Sequence, residues 1–326
     1  MTANYEVVAI GNAIVDVIAR SSDSFIINQG LDKGSMALID EARADQLYAT
    51  MTDALVASGG SVANTAVGIA SFGGTSAFVG KVRNDELGDA FASDIAKVGV
   101  DFGVPSGADG PGTARSLILV TPDGQRTMNT YLGIAAMLEP SDINPATVEA
   151  GSILLCEGYL WDVDSAKRSI RLAMDIAKGA GRKVALSLSD AFCIERHHQE
   201  FLELVEGPVD ILLANESELR AMYECGFEQA AEKVRDFVEL GCLTKGEEGS
   251  LLVQGSQSFE IKAEPVEQVV DTTGAGDQYA AGVLYGLAHG YAPEIAGRLG
   301  SLAAAEVISH MGPRPEVPLS TLLAQV

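Results

Sequence analysis

Three observations predict an α/β fold with a mainly parallel central sheet flanked by helices and a small β-sheet lid. Short apolar runs alternate with helix-length stretches through most of the 326 residues, the βα rhythm of a parallel sheet. Two β-rich insertions, at about 17–40 and 113–132, break that rhythm and can pair as a lid over the strand ends, inserted discontinuously into one domain spanning 1–326. Near the C-terminus, Val269-Val270-Asp271-Thr272-Thr273-Gly274-Ala275-Gly276-Asp277 reads as a strand end, a glycine turn and a helix start.

Taken in order, residues 6–11 are almost wholly apolar, as a strand covered on both faces should be. They deliver Asn12 and Asp16 to the strand's C-terminal end, where open α/β sheets bind ligands. The two side chains can serve two sugar hydroxyls, although Asp16 by itself reads first as a turn cap. Strand pieces at 17–19 and 36–39 and a helix at 41–51 follow. Ser58-Gly59-Gly60-Ser61 then opens an alanine-rich helix carrying Asn64. The paired glycines let a ligand approach the backbone, and they also suit close helix–sheet packing.

A strand at 76–82 and a helix at 86–98 lead to a hairpin at 113–132, turned at Pro122-Asp123-Gly124. Arg126 on its second strand is one of few cations able to reach a phosphate. Alternation resumes with strands at 152–157, 183–188 and 209–214 and helices at 165–180, 195–205, 216–223 and 227–240. Short strands at 251–254, 258–262 and 267–270 precede helices at 277–289 and 293–310.

A formal net charge of −23 argues against nucleic acid and acidic membranes as partners. Four scattered cysteines make neither a zinc motif nor a disulfide framework, and the chain reads as a soluble cytoplasmic protein. Tyr279 stands where a dinucleotide fingerprint needs a small residue. Thr75 and Val82 spoil the nearest Walker-type loop. No nucleophile elbow or histidine metal pair occurs.

The chemistry centres on the glycine turn. Gly274, Ala275 and Gly276 can converge their N–H groups on an anion at a helix mouth, with Thr273 just before them. Asp277 at that lip would repel a phosphate unless it takes a proton from an attacking hydroxyl. Asn215-Glu216-Ser217-Glu218 is a capping box, and its amide and carboxylate also suit a hydrated magnesium ion. Thr244, Gly246 and Gly249 form a loop suited to a nucleotide.

These residues together resemble the ribokinase-like (PfkB) carbohydrate kinases over essentially the whole chain, the adenosine kinases most of all. Asp271 to Asp277 matches that family's C-terminal signature. Gly59-Gly60-Ser61-Val62-Ala63-Asn64 with Gly73, Gly74 and Gly80 matches its N-terminal one, except that Arg83 replaces a second glycine. The resemblance implies ATP and Mg²⁺ as cofactors, with room for a monovalent cation, and a nucleoside or sugar as the small-molecule partner. It makes Asp277 the general base, the amides of Gly274, Ala275 and Gly276 the anion hole, and Arg126 a phosphate contact. Asn12, Asp16, Gly59, Gly60 and Asn64 would hold the acceptor, with Tyr159, Trp161 or Phe192 stacking on a base. Asn215 and Glu218 would position the metal. Asn215, Thr244, Gly246, Gly249, Thr273, Ala304 and His310 would surround the nucleotide. The expected reaction is phosphorylation of the 5′-hydroxyl of adenosine, the alternative a kinase for ribose, fructose or another hexose derivative. Edge strands of the lid can pair across a two-fold axis into a homodimer.

Overall fold

The computed structural model describes residues 4–103 and 109–326. Its strands are β1 (Tyr5–Ile10), β2 (Ile14–Arg20), β3 (Met36–Leu38), β4 (Leu55–Gly59), β5 (Ser76–Val79), β6 (Val100–Phe102) and β7 (Ala114–Val120). They continue as β8 (Arg126–Tyr131), β9 (Gly151–Glu157), β10 (Lys183–Ser187), β11 (Ile211–Asn215), β12 (Leu240–Thr244), β13 (Ser250–Gln254) and β14 (Gln257–Ile261). Nine of them form one sheet in the order β14-β13-β12-β11-β10-β9-β1-β5-β6, parallel from β12 to β6 and antiparallel at the β13–β14 edge.

Both faces of this sheet are covered, which explains the unbroken apolar runs. Because strand side chains alternate, Val8, Ile10, Leu154, Cys156, Val184 and Leu186 bury on one face with the Asp164–Gly179 helix. Val7, Ala9, Ile153, Leu155 and Ala185 bury on the other, against Ser61–Ser71 and Ala275–Ala288. The chain belongs to the mixed α/β class its sequence predicts, with a second, smaller sheet of five strands ordered β3-β8-β7-β2-β4.

That smaller sheet is larger than the expected insertion. β2 begins at Ile14, and β4, which the sequence reading left out, pairs antiparallel with β2 from Ile14–Gly59 to Ile18–Leu55. The run ending β4 is Ser-Gly-Gly, and Leu55 and Val56 are exposed, so it carries no buried-strand pattern. Short elements at Asp23–Asn28 and Val100–Phe102 were likewise unexpected. Conversely, 267–270 is not a strand. Val269 and Val270 are exposed, and the segment's anchor is a helix end, Val270 N–H donating to the Ile308 carbonyl at 2.8 Å. The helix expected at 195–205 is two, Ala191–Arg196 and His198–Val205, joined at His197. The 227–240 helix stops at Phe237 so that Leu240 can start β12. Among the described residues no helix is long and apolar enough to cross a membrane.

The C-terminal ends of β1, β9, β10, β11 and β12 open toward one side. Each delivers a polar residue there: Asn12 just past β1, Glu157, Ser187, Asn215 and Thr244.

Candidate active site

The glycine turn sits over these strand ends. Gly274 caps the Ala275–Ala288 helix at φ 80°, and a Cβ there would lie 2.6 Å from Pro313 Cα, so both conformation and space demand glycine. The Ala275 N–H turns back to the Thr272 carbonyl at 3.2 Å. The amides of Gly276 and Asp277 have no helical carbonyl to donate to and are the open ones. The preceding loop is pinned by Asp271. Its Oδ1 accepts from the N–H and hydroxyl of Thr273 at 3.1 and 2.7 Å, and its Oδ2 from Gly312 N–H at 2.8 Å.

Asp277 is held by the helix that follows the paired glycines. Ser61 Oγ donates to its Oδ1 at 2.6 Å and Asn64 Nδ2 to its Oδ2 at 3.0 Å. Enclosure nevertheless pushes its carboxyl up to about 6, against those two hydrogen bonds. Ser61 was missed in the sequence although it directly follows Gly60. Its hydroxyl at a helix mouth, one residue past a double glycine, was the available signal. Gly60 makes this placement possible. It caps the helix at φ 99°, and a Cβ there would be 2.3 Å from the Asn12 carbonyl oxygen.

Asp16 approaches from β2, its carboxylate so close to Gly59 that a Cβ would sit 2.4 Å from Oδ2. Burial raises Asp16 to about 6, partly offset by Arg314 and Arg126 and reinforced by Asp277. Asn12 is buried and donates Nδ2 to Glu157 Oε1 at 2.9 Å, leaving its own Oδ1 buried without a partner among the described residues. Glu157 was not anticipated. It also accepts from the amides of Asn12 and Val62 at 3.3 and 3.4 Å, and burial drives it up to about 7. A lone acid closing the apolar run of β9 was the only sequence mark.

Arg126 reaches in from β8 and pairs with Asp271 at 2.6 Å, both side chains buried. Its Nη1 is buried without a partner among the described residues. Arg314, also missed, donates Nε to Asn64 Oδ1 at 3.2 Å and Nη1 to Asp94 at 3.1 Å.

Two cavities meet at the helix mouth. One of about 170 Å³ is lined by Ser61, Ser187, Ser189, Asn215, Glu218 and Asp277 among others. The other, about 680 Å³, is lined by Thr244, Gly246, Gly249, Val269, Ala304 and Ile308 among others. Asn215, Thr244, Gly276 and Tyr279 line both. Asn215 and Glu218 form the capping box in full, Glu218 accepting from Asn215 N–H at 2.9 Å and Nδ2 at 2.7 Å. Burial raises Glu218 to about 7. Among the described residues no three acids, cysteines or histidines gather as a direct metal cage. The donor set fits magnesium only through its waters, the way that reluctantly dehydrating ion is often held beside phosphates.

Several expected positions do not hold. Trp161 is fully buried, lies tilted against Phe201 and donates to Glu200 at 2.7 Å, so it is core. Phe192 is 69% exposed and lines neither cavity. Tyr159 is partly buried, burial above all and then Asp190 and other acids raising its hydroxyl, and it lines neither cavity. His310 pairs with Glu306 at 3.2 Å instead of facing the larger cavity. Thr273 spends its groups on Asp271, and Thr272 takes the lining position. Arg83, where a glycine was expected, holds the Gly110 carbonyl and the Thr113 hydroxyl.

An anion-accepting helix mouth, a carboxylate beside it and a nucleotide-sized cavity on this α/β frame are the parts of a phosphotransferase acting on an alcohol group, and the comparisons agree. The chain belongs to the pfkB family of carbohydrate kinases, whose model matches residues 6–319. An adenosine kinase structure from Sinorhizobium meliloti is 49% identical, with a TM-score of 0.91 and 99% of each chain covered. The structure of a probable sugar kinase from Rhizobium etli CFN 42 is 43% identical, with a TM-score of 0.92, over 100% of this chain and 99% of that one. An uncharacterized sugar kinase from Archaeoglobus fulgidus is 28% identical over 262 residues, 78% of this chain and 99% of its own. The enzyme is therefore a kinase using ATP and a small-molecule alcohol.

Proposed function

We propose that this kinase transfers the γ-phosphoryl group of ATP to the 5′-hydroxyl of adenosine. The observation that carries the chemistry is Asp277, held by Ser61 and Asn64 in the smaller cavity, next to the Gly276 that lines both. Asp277 takes the proton of the acceptor hydroxyl as its oxygen attacks phosphorus in line and the bond to the ADP oxygen breaks. A carboxyl raised to about 6 is ionised at neutral pH yet basic enough for that transfer, so turnover falls as pH drops through about 6. The Gly276 and Asp277 amides and the free Nη1 of Arg126 face the charge that builds on the phosphoryl oxygens. ATP lies in the 680 Å³ cavity between the Gly246–Gly249 loop and Ala304, and the five-stranded sheet closes over the acceptor against Asp16 and Asn12. Asn215 and Glu218 would hold magnesium through its waters; bound, it neutralises phosphate charge.

The 49% identity to an adenosine kinase supports the nucleoside. One observation favours a sugar instead: Trp161 is buried in the core, and neither Phe192 nor Tyr159 is among the described residues lining either cavity. Coupled ADP release over adenosine, ribose and fructose separates the two, with adenosine expected to be fastest; a sugar turned over far faster would replace it. Asp277→Asn should lower turnover by ~10²–10⁴ with ATP binding retained. Near-normal turnover would refute the base.

A further inference from the structure

Asn64 must present its amide nitrogen, not its oxygen, to Asp277, since a carboxylate can only accept. Nothing in asparagine itself fixes that choice, because rotating the amide by half a turn exchanges the two atoms. Arg314 does. A guanidinium only donates, and its Nε lies 3.2 Å from Asn64 Oδ1, so the oxygen is claimed on one side and Nδ2 is left for Asp277 at 3.0 Å.

Arg314 is itself held firmly. It lies between Pro313 and Pro315, and the Pro313 carbonyl accepts from Gln278 Nε2 at 3.0 Å. Gln278 also donates to the Asn64 carbonyl at 3.1 Å, so one side chain fixes the spacing of the two segments. The far end of the guanidinium donates to Asp94 Oδ2 at 3.1 Å, and that oxygen also takes the N–H and hydroxyl of Ser58 at 2.8 and 2.6 Å. Ser58 belongs to β4 and sits beside the Gly59 on which Asp16 rests. Burial works against the charge on Asp94, but Ser58 and Arg314 hold it below its ordinary range.

We infer that Arg314 is a positioning residue for phosphoryl transfer, locking the Asn64 amide so that it donates to Asp277 and tying both to strand β4. The inference rests on Asp277 being the base. The groups facing Asp277 are Asp16 from β2, Glu157 and Tyr159 at the end of β9, Glu218 across the smaller cavity, and Arg314 itself beyond Asn64. Without Arg314 the amide is free to turn its oxygen toward Asp277, which favours the protonated acid.

The test is the pH profile of kcat. In Arg314→Met its acidic limb should move up by about 0.5–1 pH unit. Asp94→Asn, which weakens the distant anchor and spares the proline-flanked segment, should move it the same way and serves if Arg314→Met does not fold. In an Asn64→Ala background, Arg314→Met should move the limb no further. An unmoved limb overturns the inference, as does an equal movement without Asn64, which would mean that Arg314 acts through its charge on Asp16. Asp277→Asn, measured alongside, separates the two readings. If that variant is inactive while the limb stays put, only the role of Arg314 falls; if it turns over normally, the base and this inference fall together.

Discussion

The two sides of the Gly274 turn are built from different materials. The larger cavity is walled mostly by small and apolar residues, Gly246, Gly249, Ala263, Pro265, Val266, Ala304 and Ala305 among them, with Glu247 and Glu264 at its polar part. On the opposite side Asp16, Asn64, Arg126, Asp271, Asp277 and Arg314, with the half-buried Asp94, meet in a charged, hydrogen-bonded group. Shape holds one side and pairing the other, so a substitution should be felt mildly in the first and strongly in the second.

The sharpest break of that contrast is Arg126→Met. It strands Asp271 as a buried charge, and losing one partner of such a pair costs ~3–5 kcal/mol. Denaturant unfolding should show the loss, and Arg126→Met/Asp271→Asn should recover part of it; equal stability of the single variant and the parent would mean that the pair is solvated.

Next comes Gly60→Ala, which meets the Asn12 carbonyl oxygen at a backbone angle that alanine resists, at ~1–3 kcal/mol. Thermal unfolding should show the cost, and acceptor KM should rise more than ATP KM, because Gly60 starts the helix that carries Ser61 and Asn64.

Glu157→Gln tests the buried acids through pH. A carboxyl at about 7 in the fold and near its ordinary value when unfolded binds more protons in the native state. Its contribution is therefore complete at low pH and lost as pH rises through about 7. The parent should lose more stability than Glu157→Gln between pH 5 and pH 8 in thermal melts; parallel losses would exclude the effect.

The smallest change belongs to the apolar side. Ala304→Val should raise ATP KM several-fold with kcat unchanged, by crowding the wall. A large fall in kcat would erase the distinction between the two regions.

Sequence patterns reveal these two materials unequally. The parallel sheet was legible because β1, β9 and β11 are apolar on both faces, and the glycine turn because its residues are contiguous. Asp277, Asn12, Asp16 and Asn64 were nameable since each lies in a short motif. Arg314 was not, because its partners at 64 and 94 are far away in the chain and one arginine in a proline-rich tail carries no local mark. Glu157 was hidden for a similar reason: its importance comes from Asn12 and Val62 folding over it. Trp161 failed in the opposite direction, an aromatic near the site by number that packing turns into the core. β4 escaped because an exposed edge strand has no burial rhythm to read.

The bonds from Ser61 and Asn64 to Asp277 join residues 216 and 213 positions apart. A growing chain therefore carries the Ser61–Ser71 helix long before the acid that helix holds has been made. On the proposed role of Asp277, a chain halted before residue 277 should not turn over, however well its first half has folded.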